Sequence, residues 1–452
     1  MAAQSKLMEA AINCSCRDYL HPWTSSCVNA AAGIMLTTIP TAFRTYTMVY
    51  LFALIVRMRI PTLKDLKRTI EGIFKSTAFL TTNAYGFNLC VCLFRLMLGR
   101  FYFSTIAYIP TFVASIISLF IERPERRTPL ALYVANVSTE SLWKMLEARG
   151  IVRSIPNGQV LVLGCSITAL LYMYRLGVHQ TKVKDATFKA LQLLIGKEEQ
   201  GPIKESPPKR SSQQPLNFSN ISAYVQLYQR LRNTKHHSCP HRLGCSSYAV
   251  VGGLKPFLGG VGVQVGLKLL LSIPNMIKMK MDWRKQIFNK GNLKLGLALG
   301  SYSLLYKMIS CGLRHSCGYD SALFAIPAGL LGSIGLLQFP NITISMYVMW
   351  KALQLLYNWG HEEGVLPNIP YFNMILYSAC TALLFHCAIL EPSSMRSSYY
   401  KFLMDISGTR LCRFDISPFD AYGLGGQGQR SDVIKRLKID MSQALPKIPL
   451  VV

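Results

Sequence analysis

The sequence predicts an all-α, polytopic membrane protein built from two tandem repeats of about four membrane helices each. Three observations lead there: the composition, a set of long uncharged windows, and a phrase written twice. Half of the 452 residues are apolar and only 16% are charged, whereas soluble domains carry about 25% charged residues. Lys and Arg number 49 against 22 Asp and Glu, a formal net charge of +27. Most of that charge borders apolar stretches, as membrane flanks near anionic headgroups do. A lipid membrane is therefore the expected partner and nucleic acid is not.

A bilayer core of about 30 Å takes about 20 apolar residues to cross as a helix. Residues 76–94, 101–121 and 154–174 in the first half, and 321–350 and 364–390 in the second, contain no Asp, Glu, Lys or Arg. These are read as firm spans. Weaker candidates are 28–56, broken by Pro40 and Arg44; 246–277, with Lys255, Lys268 and Pro274; and 293–311, with Lys294 and Lys307. A further one is 130–146, where Leu130, Tyr133, Val134 and Val137 make a helical stripe opposite Asn136, Ser138 and Glu140. The stretch KEEQGPIKESPPKRSSQQPLNFSN at 197–220 is poor in apolar residues and reads as a solvated linker.

The phrase GIVRSIP at 150–156 returns as GVLPNIP at 364–370, an offset of 214. At that offset Tyr133 and Val134 fall on Tyr347 and Val348, Gly150 on Gly364, and Ile155 with Pro156 on Ile369 with Pro370. FKALQLLIG at 188–196 answers YKFLMDISG at 400–408. Ordered matches with little drift point to a tandem duplication. Each copy of the phrase is then the turn ending the third segment and opening the fourth, with a Gly to stop one helix and an Ile-Pro to start the next. The expected organisation is a Cys/His region with a first apolar segment and basic loop (1–75) and a first membrane repeat (76–196). A polar linker follows (197–235), then a second Cys/His cluster with apolar segment and basic loop (236–292), a second membrane repeat (293–408) and a mobile polar tail (409–452). If both basic loops, at 57–75 and 278–294, face the same side, an even number of crossings separates them. Five candidate segments lie between, so one fails to cross or doubles back, and 130–146 and 246–277 are the weakest.

Cys14, Cys16, His21 and Cys27 form one cluster, and His236, His237, Cys239, His241 and Cys245 another. Thiolates and imidazoles at such separations suit zinc, with Cys16, His21, Cys27, Cys239, His241 and Cys245 as candidate ligands. Without paired CxxC spacing, structural thiols or juxtamembrane acylation sites stand beside that reading. Cys90, Cys92, Cys165, Cys380 and Cys387 lie inside apolar runs and read as packing residues. Gly262 with Gly266, Gly296 with Gly300, and Gly329, Gly332 and Gly335 have helix-packing spacing, within a bundle or along a homo-oligomer seam. Asn136, Glu140 and Lys351 are candidates for a substrate path between the repeats. No phosphate loop, nucleophile elbow or HExxH helix occurs, so catalysis is not expected.

Ordered phrases carry a resemblance over about residues 14–406: FLTTNAYGFNLCVCLFRLMLGRFY (79–102), LYVANVSTESLWKMLEARG (132–150), KHHSCPHR (235–242), TISMYVMWK (343–351) and PYFNMILYSACTALLFHCAILEP (370–392). These resemble the transmembrane protein 135 family, distantly related to the four-helix mitochondrial inner-membrane translocases and their small peroxisomal relative. The resemblance implies a multi-pass protein of peroxisomal and mitochondrial membranes, tied to the balance of mitochondrial fission and fusion, peroxisome organisation, and fatty-acid and cholesterol storage. Its implied partners are the mitochondrial division machinery and peroxisomal proteins. The alternative expectation is a lipid or metabolite transporter with its path between the two repeats.

Overall fold

The computed structural model describes residues 11–56, 60–181, 183–203, 235–277, 289–420 and 426–441. Among these, thirteen helices have eight or more residues. In chain order they are α1 (Cys27–Val56), α2 (Leu63–Leu98), α3 (Tyr108–Leu119), α4 (Pro124–Ala148), α5 (Gly158–Leu176), α6 (Ala186–Ile195) and α7 (Cys245–Ile277). Then come α8 (Leu293–Cys317), α9 (Ala325–Gly332), α10 (Ile342–Glu362), α11 (Phe372–Leu390), α12 (Ser397–Ser407) and α13 (Gly426–Leu437). One short antiparallel pair joins Ala11–Ile12 to Phe101–Tyr102.

Local chemistry sets the boundaries. α2 begins with a capping box in which Thr62 Oγ1 accepts from the Asp65 amide at 3.2 Å and the Thr62 amide donates to Asp65 at 3.2 Å. It ends on Gly99, whose φ of 71° permits the left-handed cap. The described part of the basic stretch expected as a loop at 57–75 is therefore largely the first turns of this helix. Within α1, Pro40 removes one amide donor; around it Thr37, Thr38, Thr41 and Thr45 donate their hydroxyls to carbonyls one turn earlier.

Two of the firm spans are not single membrane crossings. Residues 101–121 give two strand residues and the 12-residue α3, about 18 Å long against a core of about 30 Å. Residues 321–350 break into a 3-10 turn, α9, a second 3-10 stretch at Ser333–Gln338, and the start of α10. Pro340 stops the helical run, and Asn341 restarts it by accepting from the Ile344 amide at 3.1 Å. Of the five segments between the basic stretches, 101–121 is too short to cross, and 130–146, within α4, is not among the helices apolar enough to do so, whereas much of 246–277 is.

Among the described residues, four helices are long and apolar enough to cross a membrane: α2, α5, the Cys245–Leu269 part of α7, and α11. Large apolar side chains on them stay exposed, including Leu93, Leu96, Leu161, Leu254, Leu258, Val263 and Ile375, as lipid-facing surface requires.

The chain divides into two compact units, 1–154 with 369–452 and 155–368. In unit one, α1 packs on α2, α2 on α3, and α11 on α3 and α4, with α12 against α1. In unit two, α7 packs on α8, α8 on α9, and α5 on α9 and α10, with α6 against α7 and α8. Each unit thus takes four successive elements from one half of the chain and a closing pair of helices from the other. The crossings fall on the repeated phrase. After α4, the Gly150 amide donates to Glu147 and that of Ile151 to Leu146; after α10, Gly364 donates to His361 and Val365 to Gly360. Both are Schellman ends, with Gly150 at φ 69° and Gly364 at φ 74°. The next helix opens each time on an Ile-Pro turn whose following residue is left-handed, Asn157 at 57° and Tyr371 at 59°.

Neither the first residues of the expected linker nor the described part of the expected tail is a solvated strand; 421–425 and 442–452 lie outside the described residues. Lys197–Glu199 is a 3-10 turn with Glu199 buried in unit two; 204–234 lie outside the described residues. In unit one, Leu411, Cys412, Phe414, Ile416 and Val433 are buried. There the Asp415 amide donates to the Tyr19 carbonyl at 2.8 Å. The apolar side chains at 411–416 supply this docking, which the polar text around them hides.

Candidate metal centres

Each unit contains one group of three thiols and an imidazole. In unit one it is Cys16, His21, Cys27 and Cys92, in unit two Cys239, His241, Cys245 and Cys311; in each, the ligand atoms all lie within 4.8 Å of one another. The same elements supply them. An arm before the first helix gives a Cys and a His, and that helix's first residue gives the second thiol, Cys27 on α1 and Cys245 on α7. The third thiol projects from the next helix, Cys92 on α2 and Cys311 on α8, seven residues before its glycine cap at Gly99 or Gly318.

The spacings suit a tetrahedral ion. Zn–S near 2.3 Å and Zn–N near 2.0–2.1 Å place neighbouring ligand atoms about 3.5–3.8 Å apart. Cys92 Sγ is 3.7 Å from His21 Nε2, Cys311 Sγ 3.4 Å from His241 Nε2, and Cys239 Sγ 3.8 Å from Cys245 Sγ. Both imidazoles are oriented from behind. His21 Nδ1 lies 2.9 Å from the Thr24 carbonyl oxygen and His241 Nδ1 2.6 Å from that of Leu243. A carbonyl oxygen only accepts, so Nδ1 carries the proton and Nε2 turns its lone pair to the thiols, as second-shell partners of metal-bound histidine do. In the arm of unit one, Ser15 and Asp18 form a capping box over Cys16–Tyr19. The hydrogen bond from Cys92 draws the Cys16 thiol down to about 4, and Cys311 does the same for Cys239.

An arginine follows each helix thiol by three residues, with different partners. Arg95 Nε donates to the Cys14 carbonyl at 2.9 Å, which fixes the arm of unit one. Arg314 instead grips Glu199 with two nitrogens, at 3.0 and 2.6 Å, and reaches Asp320 at 2.9 Å. Arg175 on α5 joins the same two carboxylates, and Tyr248 donates to Glu199 at 3.2 Å while stacking on His241. Arg175, Arg314 and Glu199 are all at most 2% exposed, so this is a buried ionic network beneath the second centre.

The sequence therefore supplies three of the four candidate donors in each group. Cys14, His236 and His237 stand outside the two sets, and Cys92 and Cys311 were missed. Both sit inside apolar helices where a thiol reads as packing. The signal for them is the pattern C-x-x-R-x-x-x-G, which occurs at 92–99 and again at 311–318. Of the other candidates, Asn136 is buried on α4 in unit one. Glu140, one turn on, is paired with Lys144 at 2.9 Å and with Arg396. Lys351, in unit two, bonds Asp185 at 2.7 Å and Gln354 at 2.9 Å. The glycine series serve internal packing in part. A Cβ on Gly296 or Gly300 would meet Phe257, and one on Gly329 would meet Thr168, whereas Gly262 and Gly266 face open space.

No solved structure matches the chain. Residues 13–146 match the family model described as the N-terminal cysteine-rich region of Transmembrane protein 135, a stretch that includes all four donors of the first centre, α1 to α3 and all but the end of α4. Over that stretch, less than half of its 452 residues, the chain is similar to the transmembrane protein 135 family.

Proposed function

We propose that this protein is a non-catalytic, multi-pass regulator in peroxisomal and mitochondrial membranes, acting on mitochondrial division, peroxisome organisation and the handling of fatty acids and cholesterol. Its architecture is read as a tandem duplication in which the closing helix pairs, α5–α6 and α11–α12, are exchanged between the copies. Supporting the duplication are the paired Schellman ends, the paired Ile-Pro turns and the twin thiol-imidazole groups, each at the same place in its unit.

The observation that carries the regulatory reading is the state of the charges expected to line a path. A permeation path needs ionisable groups that face water or cargo. Glu140 and Lys351 are instead neutralised by Arg396 and Lys144, and by Asp185, each within its own unit. Such pairs suit a rigid scaffold presented to partners. Purified protein in liposomes is expected to move no fatty acid, sterol or acyl-CoA, while cells lacking it show altered mitochondrial and peroxisomal shape that the wild-type chain restores. Transport that disappears in Glu140→Gln and Lys351→Met, at normal abundance, would replace this reading with that of a transporter.

A further inference from the structure

We propose that each unit binds one structural zinc ion, with Cys16, His21, Cys27 and Cys92 as ligands in the first centre and Cys239, His241, Cys245 and Cys311 in the second. Three lines of geometry converge on this. The donor atoms are already at the spacing of a tetrahedral site. Each imidazole is held by a backbone carbonyl so that Nε2 faces the thiols. The arrangement occurs twice, on equivalent elements of two units, so chance clustering of cysteines would have to happen at the same place in both.

The donor set selects the ion. Three thiolates and one imidazole favour zinc over the hard cations, which take oxygen, and four protein ligands leave no open position for a reacting water. A disulfide is the competing use of paired thiols, but it would bridge two of them and leave the third thiol and the oriented imidazole without a role. The ion's consequence is mechanical. In each unit it ties three pieces of chain together: the arm, the start of one long helix and the end of the next.

In unit two this has a second effect. Cys311 and Arg314 are neighbours one turn apart on α8; Arg314 holds Glu199 before the linker, and Cys311 shares its centre with Cys239 and His241 after it. Both ends of the 204–234 segment are thereby pinned to the last two turns of one helix. Zinc loss there would release the chain at Cys239 and His241 and leave Glu199 held by Arg314.

The test is metal counting on full-length protein purified in detergent without chelator, by elemental mass spectrometry. The expected result is two zinc ions per chain. Cys92→Ser and Cys311→Ser should each leave one, the double variant none, and Cys90→Ser and Cys165→Ser, outside the centres, both ions. Cys92→His, which keeps a ligand, should restore the second ion and so separates ligation from misfolding. Cobalt exchanged for zinc should give the charge-transfer and visible bands of tetrahedral thiolate coordination. Monodisperse protein with no bound metal after zinc supplementation would overturn the proposal, as would two zinc ions retained in the double variant.

Discussion

Replacing Glu199 by Gln is expected to destabilise unit two by about 3–5 kcal/mol, the usual cost of removing one partner from a buried ion pair. The carboxylate stands between Arg314 and Arg175, with Tyr248 donating to it as well. Gln keeps the shape but not the charge, so two buried guanidinium groups would share Asp320 as the one remaining carboxylate of the network. Thermal unfolding in detergent, followed by fluorescence of Trp350 and Trp359, measures the effect. Glu71→Gln, which breaks the exposed i,i+4 pair with Lys75, should leave the melting curve unchanged. The pH dependence has a definite sign. Burial alone would raise the Glu199 carboxyl, but Arg314 and then Arg175 outweigh it and hold it at about 2, below its ordinary value of 4.5. The stabilisation is therefore complete above about 4.5 and is lost as pH falls through about 2. In Glu199→Gln this acid-dependent component should be missing.

The second large effect is expected at the α7–α8 crossing. A Cβ on Gly296 would sit 2.6 Å from the Phe257 carbonyl oxygen, and one on Gly260 2.8 Å from Gly296 Cα. These are backbone atoms, so neither can rotate away. Gly296→Leu should force the two helices apart at a cost of about 3 kcal/mol or more. Gly262→Leu and Gly266→Leu, with nothing within 4 Å of the added Cβ, should not change the unit's stability. If all three variants melt alike, the close contact is not formed.

Where residues act locally, the sequence was a good guide. The Schellman glycines Gly150 and Gly364, the arm ligands and the apolar runs of α2, α5 and α11 all follow from side-chain chemistry over a few positions. What it hid depends on distant contacts. Cys92 and Cys311 become ligands only because an arm folds back over the helix that carries them. Glu199 sits in text that reads as linker, and only Arg175 and Arg314, 24 residues before it and 115 after, account for its burial. Hydropathy also overstated two spans. The uncharged windows at 101–121 and 321–350 satisfy any apolar count, yet Pro340, the strand residues at Phe101–Tyr102 and the close-packed Gly329, Gly332 and Gly335 turn them into short helices. That each unit draws a pair of helices from the other half of the chain could not be read at all, since the same local turns serve a chain that folds back on itself and one that crosses over.

The exchange of closing helices proposed above is open to a direct measurement by disulfide cross-linking. Asn373 Nδ2 on α11 donates to Thr128 Oγ1 on α4 at 2.8 Å, so cysteines at these positions face each other on packed helices. By the offset of 214, the residue matching Asn373 in the first half is Gln159. Thr128→Cys with Asn373→Cys is expected to cross-link rapidly on mild oxidation, within a single chain and reversibly under reductant, while Thr128→Cys with Gln159→Cys is not. Cross-linking of the Thr128 and Gln159 pair instead, or bridging of Thr128 to Asn373 only between two chains, would contradict the exchange of helices within one molecule.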